Sequence, residues 1–308
     1  MERLLAVSSS PHIHAAQDTR AVMGWVLIAL APAGAAGVYF LGLRALAVMA
    51  VCVVFSVLAE YVWQKGMKQQ STSGDLSAAV TGLLLAYNLP PTIPFWMAAV
   101  GSLFAIIVVK QFFGGIGFNI VNPALAGRAM MLTSWPVAMT TWTIDGVSGA
   151  TPLALIKGGS AELPALCDVF IGNIGGCIGE TSAIALLIGF AILLAKKIVS
   201  WHIPVVYVAT VAALSAVLGR PAGPVYEIFC GGLMLGAIFM ATDYTTSPMT
   251  RKGQVLFALG CGLLTTLIRT FGGYPEGVSY SILIMNLTVP LIDKLLRPRV
   301  FGEVKKHG

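Results

Sequence analysis

The sequence predicts an all-α, polytopic membrane protein, and two observations carry that prediction. Of the 308 residues, 57% are hydrophobic and only 10% are charged, too few polar side chains to cover a soluble globule of this length. The apolar residues also fall in continuous runs approaching the roughly 20 residues an α-helix needs to cross about 30 Å of hydrocarbon. Strands of a membrane β-barrel would alternate in polarity instead.

Taken in order, hydropathy places ten spans at 22–41, 45–63, 75–89, 95–113, 123–139, 180–197, 202–219, 225–241, 254–271 and 277–293. The polar stretch from Ser8 to Arg20 lacks the basic start and small-residue cleavage site of a secretory signal, so the first span is expected to be retained. With both termini cytoplasmic, Lys65 and Lys68, Lys110, Lys196 and Lys197, Arg251 and Lys252, and the basic tail at 294–308 all fall on the inner side. Arg44 and Arg220 are the outer exceptions, and the 140–166 segment lies outside. The net charge of +6 therefore orients the chain and meets anionic lipid, which argues against nucleic acid as a partner.

An internal echo divides the chain. The stretch from Leu83 to Pro91, followed by Phe113-Gly114-Gly115, matches that from Ile238 to Pro248, followed by Phe271-Gly272-Gly273. Five spans per half invert the second copy relative to the first, as in many transport folds. Residues 1–140 form the first five-helix repeat, 140–166 the outer loop and 167–293 the second repeat within a single transmembrane domain. The segments just after the third span of each half are short and Pro-rich, as are Asn122-Pro123 and Ser134-Trp135-Pro136, which predicts broken or half-length spans whose free backbone lines protein or a cavity. Gly114, Gly115 and Gly117, just before Asn119 and Asn122, mark irregular backbone.

The outer loop contains the sequence Asp145-Gly146-Val147-Ser148-Gly149-Ala150-Thr151. Thr151 followed by Pro152 and an apolar run reads as a helix start, with threonine as N-cap and proline in the first turn. A loop of this length with little regular pattern is uncommon unless it has a function.

This heptapeptide resembles the flavinylation motif of the RnfD/NqrB family of membrane subunits, in which a flavin transferase joins the phosphate of FMN to the final threonine as a phosphoester. The resemblance extends to Asn119 through Arg128, to Gly179-Glu180-Thr181-Ser182 and to Thr242 through Pro248, so it covers nearly the whole chain. It is nearer to the RnfD branch, because NqrB subunits typically carry a longer N-terminal region. It implies covalent FMN on Thr151, and a fold similar to that of urea and ammonium transporters. It also implies electron relay within an ion-translocating ferredoxin:NAD⁺ oxidoreductase of the bacterial inner membrane, coupled to Na⁺ or H⁺ movement, with iron-sulfur, flavin and membrane subunits as partners. Riboflavin is a second cofactor plausible for the family. On this reading Gly146 and Gly149 admit the phosphate and ribityl chain. Asp145 positions the hydroxyl or binds a metal during transfer, Ser148 and Ala150 complete the motif, and Lys157 pairs with the phosphate.

Arg128, Glu180, Asp243 and Arg269 lie in or beside spans, where an ionisable group is costly and calls for a function or a partner. Arg128, Glu180 and Asp243, with Asn122, are candidates for an ion path or a second flavin site, and Arg128 pairing with Glu180 is the structural alternative. Asp75 and Asn88 flank the third span as candidate half-helix caps or flavin contacts. Cys52, Cys167, Cys177, Cys230 and Cys261 lack C-x-x-C spacing, and the four histidines are not grouped with other ligands, so no metal site is assigned. No G-x-S-x-G, Walker or dinucleotide-binding pattern in strand–helix context is present, so hydrolysis, ATP use and nicotinamide binding belong to other chains. The alternative from another class is a stand-alone channel or secondary transporter of the same fold without redox function.

Overall fold

The computed structural model describes residues 18–69, 72–144, 147–149, 151–158, 163–273 and 276–297. Among them, regular structure is helical apart from one small hairpin, and every range expected to span the membrane is occupied by helix. In the first half these helices are α1 (Thr19–Leu41), α2 (Leu43–Gly66), α3 (Ser77–Tyr87), α4 (Phe95–Leu103, continuing as π turns through Phe104–Gln111), α5 (Pro123–Ser134) and α6 (Pro136–Thr140). The hairpin pairs β1 (Trp142–Ile144) with β2 (Val147–Gly149) and precedes α7 (Pro152–Gly158) and α8 (Leu166–Ile171). The second half holds α9 (Ala183–Ala195), α10 (His202–Val217), α11 (Pro224–Phe229), α12 (Leu233–Leu235, continuing as π turns through Gly236–Met240), α13 (Arg251–Phe271) and α14 (Val278–Leu295).

Among the described residues, only α1, α2, α13 and α14 are long and apolar enough to cross a membrane alone. At 1.5 Å per residue, α3 rises about 16 Å, half of a hydrocarbon core. The local chemistry explains the breaks. Asn122 caps α5 by accepting from the Ala124 and Leu125 amides, ahead of a proline that suits the first turn. Trp135, before Pro136, leaves the helical region and separates α5 from α6. The span expected at 225–241 is divided at Cys230–Gly232, where Gly231 takes a left-handed φ of +66 and comes so close to Leu153 that a Cβ would clash with it. In the outer loop, where little regular pattern was expected, Asp145-Gly146 stands between β-branched residues, a combination that favours a hairpin.

Helix α1 packs on α9, α2 on α3 and α4, and α3 and α4 on α5. In the second half, α10 packs on α11 and α13, and α13 on α14, while α5 meets α14. A buried cluster including Leu30, Leu85, Tyr87, Tyr207, Phe257 and Ile282 runs through both halves. Outward positions carry large apolar residues such as Tyr39, Leu46, Val62 and Leu263, the surface a bilayer accepts. At the α1–α9 crossing, a Cβ on Gly189 would lie 2.2 Å from the Ala29 carbonyl oxygen and 2.9 Å from Phe239 Cζ.

Replacing Gly189 with Val is therefore expected to force this crossing apart at a cost of about 1–3 kcal/mol and to lower the thermal unfolding midpoint in detergent. Gly66→Ala, where a Cβ meets nothing within 4 Å, is expected to leave that midpoint unchanged.

Candidate functional site

Thr151 stands immediately before α7 and is 6% exposed. Its Oγ1 accepts from the Ala154 amide at 3.3 Å, the N-cap geometry expected from Thr151-Pro152. The short helix is held by its apolar face: Leu153 and Ile156 pack with Val169, Ile174, Tyr226 and Cys230 in a satellite cluster. Lys157, near the end of the same helix, donates to the Gly272 carbonyl just past α13. Ser148 and Gly149 lie in β2 opposite Thr143 and Trp142, while Asp145, Gly146 and Ala150 fall outside the described residues. Behind the threonine is a cavity of about 10 Å³, lined by Glu180, Thr181, Glu276 and the glycines Gly175, Gly176 and Gly231. That volume holds about one water, so a group attached to Thr151 must extend outward from it.

The cavity opens onto a buried ion cluster. Arg128 of α5 donates through one nitrogen to Asn88 Oδ1 at 2.7 Å and to Glu180 Oε1 at 3.3 Å, and through the other to Glu276. The expected Arg128–Glu180 pair thus exists, but Glu276, which no local sequence pattern singles out, completes it. Glu180 sits in the turn before α9, the helix capped by Ser182. Cys177 donates to the Asn88 carbonyl at 3.2 Å, and its sulfur and a carboxylate oxygen from each of Glu180 and Glu276 lie within 4.8 Å of one another. The guanidinium occupies carboxylate lone pairs that a metal would use. Cys167 is exposed and Cys177 is buried, both as free thiols.

A second and larger cavity, about 470 Å³, lies between α1, α3, the π turns after α4, the start of α5, and the 242–245 turn. Its polar wall includes Ser77, Lys110, Asn119, Asn122, Asp243 and Thr245. Gly114, Gly115 and Gly117, with φ of +117, +95 and +90, make the irregular turn expected there and lead into Asn119, whose amide donates to Thr245 Oγ1 at 2.8 Å. Asp243 accepts from the Thr245 and Thr246 hydroxyls at 3.0 and 3.2 Å. Asn122 faces this cavity while its amide donates to the Met240 carbonyl at 3.2 Å. Of the four ion-path or second-flavin candidates, Asn122 and Asp243 therefore meet at the large cavity, and Arg128 and Glu180 at the cluster behind Thr151.

Two ionisable groups near the ends of spans are buried in ion pairs. Lys110, expected among the inner-surface lysines, is 3% exposed and pairs with Glu60 Oε1 at 2.9 Å. Glu60 stands within an apolar helix, which was itself the signal for a buried partner. Arg269, in the last turn of α13, is buried, and Glu227 bridges it to Arg220 at 3.0 and 2.5 Å. This accounts for Arg220 as an exception to the charge rule.

Arg128→Met removes the cation that two carboxylates share, and is expected to cost about 3–5 kcal/mol of stability. Adding Glu180→Gln and Glu276→Gln to that variant is expected to recover part of the loss, read as an upward shift of the detergent unfolding midpoint relative to the single variant.

Comparison with known proteins finds relatives along the whole chain. It is 52% identical over 308 residues to the D component of the Na(+)-translocating ferredoxin:NAD(+) oxidoreductase complex of Acetobacterium woodii, covering 98% of this chain and 96% of the relative. It is 45% identical to the D component of the proton-translocating ferredoxin:NAD(+) oxidoreductase complex of Clostridium ljungdahlii, with 98% and 97% covered. It is 37% identical to the D component of the ion-translocating oxidoreductase complex of Escherichia coli, with 97% and 99% covered. Residues 6–302 match the family described as NQR2, RnfD, RnfE, and the chain belongs to that family.

Proposed function

We propose that this chain is the D-type membrane subunit of an ion-translocating ferredoxin:NAD⁺ oxidoreductase, and that it relays electrons through FMN esterified to Thr151. Relatives covered nearly end to end carry that component's name. The observation that carries the cofactor assignment is the placement of Thr151. The last residue of the heptapeptide is a hydroxyl fixed at the start of an anchored helix, beside a niche lined by three glycines.

The residues fit a phosphoester in three respects. Thr151 Oγ1 supplies the alcohol oxygen, which replaces a leaving group on the phosphorus when a flavin transferase delivers FMN. Pro152 to Gly158 hold that oxygen in place. Arg128 offsets the two carboxylates, Glu180 and Glu276, that otherwise oppose an anion at the niche. When bound, FMN supplies the one- and two-electron chemistry that no side chain here provides.

The large cavity suits a second, noncovalent flavin, riboflavin. Its volume lies within the range usual for ligand pockets, and Asn119, Asn122 and Asp243 offer the donors and acceptors that the edge of an isoalloxazine ring requires. The same geometry suits an inverted arrangement of five spans per half. Helix α2 packs on α3 and α4 as α10 packs on α11 and α13, and α4 meets α5 as α13 meets α14. In that arrangement both termini face the cytoplasm, Thr151 lies on the outer face and the large cavity near the inner one. The moved ion is Na⁺ or H⁺, and the other subunits of the complex provide the iron-sulfur centres and nicotinamide site.

After coexpression with a flavin transferase, the denatured protein is expected to give a fluorescent band and a mass increment of FMN less water, and Thr151→Ala is expected to lose both. A colourless wild-type protein without added mass would support the channel or transporter reading instead.

A further inference from the structure

The π turns of residues 104–111 bring Lys110 to the wall of the large cavity, where Ser77 also lies. Lys110 Nζ donates to Ser77 Oγ at 2.6 Å, and Ser77 Oγ donates to Asp75 Oδ1 at 2.6 Å. The hydrogen bonds run in one direction, from the cavity to a turn at Ser73–Asp75, where the half-buried Asp75 stands next to the exposed Gly74. Behind Lys110, Glu60 accepts from Lys110 at 2.9 Å and from Gln111 at 2.7 Å through the same oxygen. The other oxygen of Glu60 is buried without a hydrogen-bond partner among the described residues. The Lys110 ammonium is shared between the carboxylate and a serine hydroxyl whose own proton is already committed outward.

We propose that Lys110, Ser77 and Asp75 form a proton relay that serves the ligand of the large cavity during its reduction. This rests on the reading of that ligand as a flavin. A flavin bound there would, on reduction, take up a proton at a ring nitrogen. Lys110 breaks one N–H bond and gives the proton to that nitrogen. The Ser77 hydroxyl then turns from Asp75 to the freed lone pair and gives it its proton, while Asp75, protonated from water, passes that proton to Ser77 Oγ in the same step, so that no alkoxide is left. One proton enters from solvent for each proton delivered, and Lys110 ends as the ammonium it began as. Glu60 is the positioning residue that keeps the ammonium at the cavity wall, while Asp243 and Lys197 are the other charged groups lining the same cavity.

The test uses the intact complex purified in detergent and mixed with reduced methyl viologen, whose one-electron oxidation releases no proton, with proton uptake followed by an indicator dye. Ser77→Ala keeps the backbone bond from residue 77 to Asp75 but removes the hydroxyl, and is expected to slow uptake about a hundredfold, the low end of what a positioned proton donor contributes. Its noncovalent flavin content is expected to stay at the wild-type level. Ser77→Thr is expected to restore the rate, and Asp75→Asn to slow it unless a small weak acid such as acetate is added. Uptake at the wild-type rate in Ser77→Ala, with the noncovalent flavin present, overturns the relay and leaves the flavin reading standing. A wild-type complex that releases no noncovalent flavin on denaturation overturns both.

Discussion

A guanidinium enclosed in a low-dielectric interior must be surrounded by acceptors, and Arg128 finds them by drawing the two halves of the chain together. Its own helix and Asn88 belong to the first half, and Glu180 and Glu276 to the second. The backbone follows the same seam. The Ile178 amide donates to the Leu89 carbonyl and the Gly179 amide to the Tyr87 carbonyl, so the end of α3 and the turn before α9 run side by side. That approach leaves no room for a side chain at 179, where a Cβ would lie 2.3 Å from that of Tyr87. Tyr87 in turn reaches the Leu30 carbonyl at 2.7 Å. Thr151 borders the same seam through Glu180 and Glu276, so its surroundings are fixed by the contact that closes the fold.

Asn88 also connects the two candidate sites. Its oxygen accepts from Arg128 near the threonine niche, while its amide approaches the Met240 sulfur at 3.6 Å. The carbonyl of Met240 is held by Asn122, which faces the large cavity. Between a niche with room for one water and a cavity with room for a ring system, the connection is thus a short series of amides and a polarisable thioether.

Helix positions were legible because hydropathy and length act locally, and Thr151 was legible as a cap because its proline follows directly. The Arg128–Glu180 pair was legible for a different reason, since each group was too costly to stand alone in an apolar setting. Glu276 was not legible because it lies in a loop 148 positions from Arg128, and no local pattern encodes such a meeting. The burial of Lys110 was not legible, because counting lysines by side says nothing of solvent at a span end, and Glu60 provides its partner from another helix. Gly231 and Gly189 were hidden among 34 glycines, since only the fold shows which of them touch a neighbouring backbone or side chain.

The α1–α9 crossing constrains how the molecule is made. Its two partners belong to different halves, yet they meet backbone to backbone at Ala29 and Gly189. Chains are synthesised from the N-terminus, and contacts between distant segments form late. Helix α1 must therefore enter the bilayer with its eventual contact strip facing lipid or a temporary companion, and exchange that neighbour for α9 only after about half of the chain has followed.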